Sequence, residues 1–173
     1  MKKNQLTTHK SSSLLLGKSK SLMKITKKLL ESKSKELANH KDITIIGDLM
    51  WEKESRRMSW DDGMEYAKNL RLGGYDDWRL PTKEELGEVV TLCGGELVTF
   101  VANDWKEKED KNLENVLYQE AYKAIGFDSN AYWSSTTVVG DEYRAWYIYF
   151  RNGFDNWGSK SNSYYVRCVR DGQ

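Results

Sequence analysis

Few residues in this chain are of types that carry covalent or metal chemistry, and their spacing argues against most of what they could do. Both histidines, His9 and His40, lie in the first 40 residues. The rest of the chain has no imidazole to serve as a general base or a usual transition-metal ligand, which excludes a Ser–His or Cys–His nucleophile there. Cys93 and Cys168 lie far apart and form no C-x-x-C pattern, so neither a zinc knuckle nor a disulfide-dense scaffold is supported. One bridge between them stays open. Cys168 stands between Arg167 and Arg170, and neighbouring cations can lower a thiol pKa. Its alternation with Val166, however, places it on an apolar strand face, where it reads as a small buried hydrophobe.

Carboxylates occur as doublets at Asp61-Asp62, Asp76-Asp77 and Glu84-Glu85, and two such groups could in principle make a paired-acid hydrolase. Nothing selects a pair. Asp61, Asp62, Glu84 and Glu85 fall where first helical turns are expected, and acids there favour the positive end of the helix dipole. Asp76-Asp77 follows Gly73-Gly74 and reads as turn chemistry. Oxygen ligation of calcium stays conceivable, although no EF-hand loop is present. Gly17-Lys18-Ser19 resembles the end of a phosphate-binding loop, but Ser12 stands where that loop needs glycine. No catalytic residue, metal site or cofactor is therefore expected.

The unusual resource is aromatic. There are 7 Trp and 10 Tyr, concentrated after residue 130 and interleaved with Ser, Asn, Asp, Arg and Gly. Tyr and Trp give large contact area with few rotatable bonds, and small polar residues give adaptable hydrogen bonding, a mixture found on recognition surfaces. Trp51, Trp60, Trp78, Trp133 and Trp146 are expected in the core. In the strand expected over residues 143–151, Trp146, Ile148 and Phe150 share one face and Tyr147, Tyr149 and Arg151 the other. Both faces are aromatic, so burial alone does not account for the strand. A polar loop over residues 152–163 would present Phe154 and Trp157.

The elements that must position these rings follow from periodicity. Residues 43–51 read as one strand or a strand pair, and residues 164–170 as a last strand. Ser59 with Asp62, then Trp60, Met64, Ala67 and Leu70, predicts a helix that stops near Gly73-Gly74. Thr82 with Glu85 predicts a second, directly after Pro81 and stopping at Gly94-Gly95. A third is expected on Leu113, Val116, Leu117, Ala121, Ala124 and Ile125, with residues 106–111 as a solvated charged loop.

Charge divides the chain near Asp42. Residues 1–42 hold 11 Lys and 3 acids, a balance of +8, whereas residues 43–173 carry −7 within an overall net charge of +1. Nucleic acid is accordingly not expected as a partner of the aromatic part. Residues 1–21, rich in Lys and Ser, have too little to bury to compensate for ordering and are expected to form a flexible arm. Over residues 22–42, Leu22, Ile25, Leu29 and Leu30 with Lys24, Lys27, Lys28 and Lys33 between them predict an amphipathic helix. Its apolar face would dock on its own domain or on another copy through residues 22–37; its lysines would also suit nucleic acid or anionic lipid. The longest apolar run of the amino terminus, Leu14-Leu15-Leu16, is short of the ~7 residues of a signal peptide or the ~20 of a membrane span. A soluble, cytoplasmic protein is the expectation.

The series Leu49-Met50-Trp51-Glu52, Gly73-Gly74-Tyr75-Asp76-Asp77-Trp78-Arg79-Leu80-Pro81-Thr82-x-x-Glu85-Leu86, Tyr132-Trp133-Ser134-Ser135-Thr136, Ala145-Trp146-Tyr147, Phe150-x-Asn152-Gly153 and Tyr165-Val166-Arg167-Cys168-Val169-Arg170 resembles the Lcl C-terminal domain family over roughly residues 43–172. The resemblance implies an α+β, C-type-lectin-like domain over residues 43–173. Its first and last strands would pair, two to three helices would flank a twisted antiparallel sheet, and a long loop region would present ligand contacts. The Arg-Leu-Pro-Thr-x-x-Glu element also resembles the formylglycine-generating and sulfatase-modifying enzymes of the same fold group, but their active-site cysteine pair has no counterpart. The Glu-Pro-Asn and Trp-Asn-Asp motifs of calcium-dependent lectins are absent too. Residues 132–170 are similar to the mutable stretch in variable proteins of diversity-generating retroelements. Carried over, that likeness implies ligand contacts at Tyr143, Tyr147, Tyr149, Arg151, Phe154, Asp155, Trp157, Ser159, Ser161 and Ser163. The leading expectation is a non-catalytic module that binds a protein or glycan; an enzyme of the sulfatase-modifying group and an oligomerising scaffold are the alternatives.

Overall fold

The computed structural model of the protein describes residues 41–172. The arm expected over residues 1–21 lies outside the described residues, as does the amphipathic helix except for Lys41 and Asp42, which form a turn.

Two sheets and four helices make up the described residues, an α+β arrangement. Strands β1 (Ile43–Ile46) and β2 (Leu49–Glu52) form an antiparallel hairpin through Gly47 and Asp48. The free edge of β2 takes the last strand, β9 (Val169–Asp171), with Trp51 opposite Val169. The last strand thus pairs with the second, and β1 is the outer edge of this sheet. The second sheet has the order β3 (Arg56–Met58), β8 (Tyr164–Val166), β5 (Ala131–Val138), β6 (Asp141–Tyr149), β7 (Phe154–Ser159) and β4 (Val98–Thr99). It is antiparallel except at the β4–β7 and β5–β8 contacts.

Two expected elements change in ways that matter for the site. Residues 164–170 are not one strand: the ladder breaks at Arg167-Cys168, so β8 and β9 lie in different sheets. There the chain is tied to β2, with the Glu52 amide donating to the Cys168 carbonyl at 2.9 Å and the Arg167 Nε donating to the Glu52 carbonyl. Half of the polar loop expected over residues 152–163 is strand β7 (Phe154–Ser159), paired with β6 along its whole length, Tyr149 opposite Phe154 and Arg144 opposite Ser159.

Helix α1 (Trp60–Asn69) begins at Ser59, whose hydroxyl accepts from the Asp62 amide at 3.2 Å. Helix α2 (Lys83–Leu92) has a full capping box: Thr82 accepts from the Glu85 amide and the Glu85 carboxylate accepts from the Thr82 amide. It ends where Gly94 turns to φ +84, a left-handed conformation that a Cβ disfavours. Beyond it stand α3 (Trp105–Glu114) and α4 (Val116–Ala124), so the single third helix expected from the sequence is two. The charged run 106–111 is helical, not a loop. Opposite charges one turn apart join Lys106 to Asp110 at 2.9 Å, Lys108 to Asp104 at 3.0 Å and Lys111 to Glu107 at 2.9 Å; such pairs support a helix face that buries little. In α4 the buried side chains are Tyr118 and Tyr122, while Val116 and Leu117 are exposed. Both phenols have hydrogen-bond partners, Tyr118 donating to the Phe150 carbonyl and Tyr122 to Gln119 Oε1 at 2.8 Å, and that lets tyrosine be the buried face.

The main core lies between the sheets and α2 and α4. It joins Trp51, Leu86, Val89, Val90, Tyr118, Tyr122, Phe127, Tyr132, Ile148, Phe150 and Val169. Phe127 stacks on Phe150 with centroids 4.2 Å apart. Trp51, Trp78 and Trp133 are buried as expected. Trp60 and Trp146 are only half-buried, each with its ring beneath a lysine ammonium, Lys160 at 3.9 Å and Lys83 at 4.2 Å. A cation over the ring's negative face explains why these two remain at the surface.

Candidate ligand-binding surface

The motifs that could have signalled chemistry hold the fold together. Arg79 exchanges backbone hydrogen bonds with Val169 at 2.9 and 2.8 Å, clipping the loop before α2 to β9. Its guanidinium makes a two-pronged contact with Glu85, 2.7 Å on each arm. Burial raises the Glu85 pKa, but Arg79 and the Thr82 amide more than offset it and hold the carboxyl below its ordinary value. The Pro81 carbonyl accepts from the Ser135 amide at 2.7 Å, and Thr136 Oγ1 accepts from the Lys83 amide at 3.0 Å. The Ser-Ser-Thr run therefore bends β5 away from β6 toward α2, where the β5–β6 register shifts between Trp133 and Thr137.

Asp77, expected as turn chemistry, does more. Arg170 donates to both of its carboxylate oxygens, at 2.7 and 3.0 Å, which holds the Asp77 carboxyl below its ordinary range. Cys168 is fully buried, and desolvation, helped by Glu52, pushes its thiol well above the usual range, so the flanking arginines do not make it a nucleophile. Both cysteines are free thiols.

Seven of the ten expected contact residues fall on two sides of the six-stranded sheet, and Arg151, Ser161 and Ser163 lie outside its strands. One side carries Tyr143, Tyr147 and Tyr149 from β6, with Phe154 and Asn156 opposite the last two on β7. Tyr143 is 74% exposed; Tyr147, Tyr149 and Phe154 are half-buried. The buried Trp133 faces this same side, opposite Tyr147 across the strand pair. Its ring centroid is 4.7 Å from Tyr164 and 5.9 Å from Tyr147, and Tyr147 is 4.6 Å from Tyr164. This second aromatic cluster is why both faces of the strand are aromatic. Burial, with Tyr164 beside it, pushes the Tyr147 phenol up to about 12.

The other side of β7 carries Asp155, Trp157 and Ser159. Asp155 is not a surface contact: it is 2% exposed, and its Oδ2 accepts from Lys83 Nζ at 3.3 Å and Thr99 Oγ1 at 3.2 Å. Strand alternation puts it opposite the buried Ile148, on the core side. Trp157 is 44% exposed, with the Arg144 guanidinium 4.2 Å from its ring centre. Arg151, Ser159, Ser161 and Ser163 are exposed in turns and at the strand end, and the Ser159 and Ser161 hydroxyls are 2.8 Å apart.

On the tyrosine side lies an open depression of about 370 Å3 lined by Tyr147, Tyr149, Phe154, Asn152, Asn156, Ala131 and Glu109. Sequence reasoning missed its helical wall. Asn112 on α3 is buried and fully satisfied: Nδ2 donates to the Glu96 and Asn152 carbonyls at 2.6 and 2.8 Å, and Oδ1 accepts from the Glu96 amide at 2.8 Å. That seats the β6–β7 turn beneath α3, where Asn152 Nδ2 donates to Glu109 Oε1 at 2.8 Å. Phe100 and Trp105 extend the aromatic edge, Trp105 meeting Phe154 at 6.1 Å and Phe100 at 5.8 Å. The signal for this wall was Trp105 heading a run whose charges alternate at helical spacing.

The arrangement offers rings, two amides and one carboxylate at a shallow surface, which suits contact with another molecule more than bond chemistry. Among the described residues no three His, Cys, Asp or Glu side chains converge as a metal site would need, and no helix is long and apolar enough to cross a membrane. No curated protein matches the chain. A model of the Lcl C-terminal domain matches residues 46–170, from the end of β1 into β9, and spans the motif series from Leu49 to Arg170, so the chain belongs to the Lcl C-terminal domain family.

Proposed function

We propose that this protein is a non-catalytic recognition module and that its binding surface is the tyrosine side of β6 and β7. The observation that carries the reading is the depression rimmed by Tyr147, Tyr149 and Phe154 with Asn152, Asn156 and Glu109. The Tyr147 ring is packed against Trp133 and Tyr164 and the Phe154 ring against Phe100 and Trp105, so these two would lose little entropy on binding. The amides supply donors and acceptors of adaptable geometry. Trp157, on the opposite face, contributes at most through the sheet edge.

The test uses peptide-display and glycan-array probes to find a binder and then titrates it against variants. Tyr149→Ala is expected to weaken binding by ~1–3 kcal/mol with little loss of stability. Trp157→Ala should weaken it far less. Trp133→Ala, which empties the cluster behind the surface, should lower stability by ~3–5 kcal/mol. Equal losses of affinity from the Tyr149 and Trp157 variants, or unfolding of the Tyr149 variant, would refute this placement.

A finer reading is that the surface is diversified, as in the variable proteins of retroelements. What supports it is that Tyr143, Tyr147, Tyr149, Arg151, Ser159, Ser161 and Ser163 reach solvent wholly or in part without a role in the main core. An adjacent reverse-transcriptase gene with a near-copy of the final codons is the expected neighbourhood; a sulfatase operon would favour the enzyme instead.

A further inference from the structure

A second concavity, of about 790 Å3, lies between the β1–β2 hairpin and α2. Its apolar part comes from Leu49, Trp51, Val89, Leu92 and Leu97. Leu92, 65% exposed at the end of α2, continues this apolar lining to the surface. The rim is acidic: Asp48, Glu84, Glu85 and Glu88 all line it, and no Lys or Arg is among the described residues that do. Glu85 is engaged by Arg79. Asp48, Glu84 and Glu88 are exposed and in no ion pair among the described residues. Glu84 and Glu88 are one helical turn apart, where like charges repel, so the domain alone holds an unfavourable arrangement that a cationic occupant relieves.

We propose that this groove receives the lysine-rich amphipathic segment of residues 22–37 from a second copy of the chain. The charge and shape requirements are met in that sequence. Leu22, Ile25, Leu29 and Leu30 fall at the spacing of one helical face, and Lys24, Lys27, Lys28 and Lys33 flank it. Helix-in-groove docking needs apolar anchors at this spacing, and the flanking lysines meet the carboxylate rim. Residues 1–42 carry +8 and residues 43–173 carry −7, so charge complementarity between copies extends beyond the groove. The interface is heterologous, segment to groove, and builds assemblies of more than one chain.

Sedimentation velocity on the full chain at low and high salt tests this by charge exchange. The wild-type chain is expected to form a salt-sensitive assembly. Glu84→Lys with Glu88→Lys should reduce it to single chains, and so should Lys24→Glu with Lys28→Glu. An equimolar mixture of these two double variants should reassemble, because each supplies what the other can bind. Leu92→Asp should also give single chains. Unchanged circular dichroism and melting temperature would show that each variant is folded. A single-chain wild type, an assembly that persists in the groove variant, or a mixture that stays single-chain would each overturn the proposal.

Discussion

Single side chains in this protein divide into those whose rings are packed and those whose rings are only backed. Tyr147 is between the two, and its ionisation reports that position. Burial, with Tyr164 adjacent, pushes its phenol up to about 12, against about 10 for an unfolded tyrosine. A group whose folded pKa is raised contributes stability that is complete below the unfolded pKa and is lost as pH rises through the folded one. Stability should therefore fall between about pH 10 and about pH 12. Tyr147→Phe, which keeps the ring and removes the titrating hydroxyl, should flatten part of that decline in alkaline melting experiments. Tyr66 and Tyr118 are displaced in the same direction by burial and will retain the rest. An alkaline profile identical in wild type and Tyr147→Phe would count against the burial described here. Arg167 is displaced the opposite way, its guanidinium pushed below its ordinary value by burial, while its charge lies 4.3 Å from the Phe127 ring centre.

At the scale of elements, the helices matter through what they hold still. Helix α3 buries almost nothing except Asn112, yet that side chain fixes both the loop at Glu96, just before β4, and the β6–β7 turn. Gly153, in that turn, has φ +71, and a Cβ there would come within 2.5 Å of Asn112 Nδ2 and 2.6 Å of the Glu96 carbonyl. Only glycine lets the turn approach so closely. Asn112→Ala removes three part-buried hydrogen bonds, those to the Glu96 amide and to the Glu96 and Asn152 carbonyls, so it should cost about 2–4 kcal/mol in denaturant unfolding. It should also weaken any ligand of the Tyr149 surface, because Asn152 loses its seat. A loss under about 1 kcal/mol, with binding unchanged, would mean that α3 is an ornament to the site. The helical spacing of charges after Trp105 was legible beforehand, but the seat at Asn112 was not: a lone asparagine in a charged run carries no periodic signal, and the tyrosine face of α4 was hidden by more apolar neighbours that point outward.

Across the whole molecule, the last strand couples the two sheets. β9 pairs with β2 in one sheet, while β8, two residues before it, belongs to the other. Arg79 and Asp77 attach to Val169 and Arg170 from the loop before α2. The sheets should therefore unfold together. Tryptophan fluorescence and far-ultraviolet circular dichroism are expected to give superimposable transitions, and Val169→Ala should shift both midpoints by the same ~1–3 kcal/mol. Two separated transitions would contradict this coupling.

The amino-acid order by itself determined the local devices and the family. Capping residues at Ser59 and Thr82, the Gly94 stop, the buried Cys168 and the ladder of motifs all depend on neighbours within a few positions or on alternation along one strand, and these are written in the chain. Tertiary structure decided which rings face outward and how the expected contacts divide. Residues 152–163 read as a loop because Asn, Gly and Ser dominate them, and only pairing with β6 makes residues 154–159 a strand. Once they are a strand, alternation sends Asp155 inside to Lys83 and leaves Phe154 and Asn156 beside the tyrosines. The same long-range pairing placed Trp133 behind Tyr147, and contacts between residues far apart in sequence have no period for a linear reading to detect.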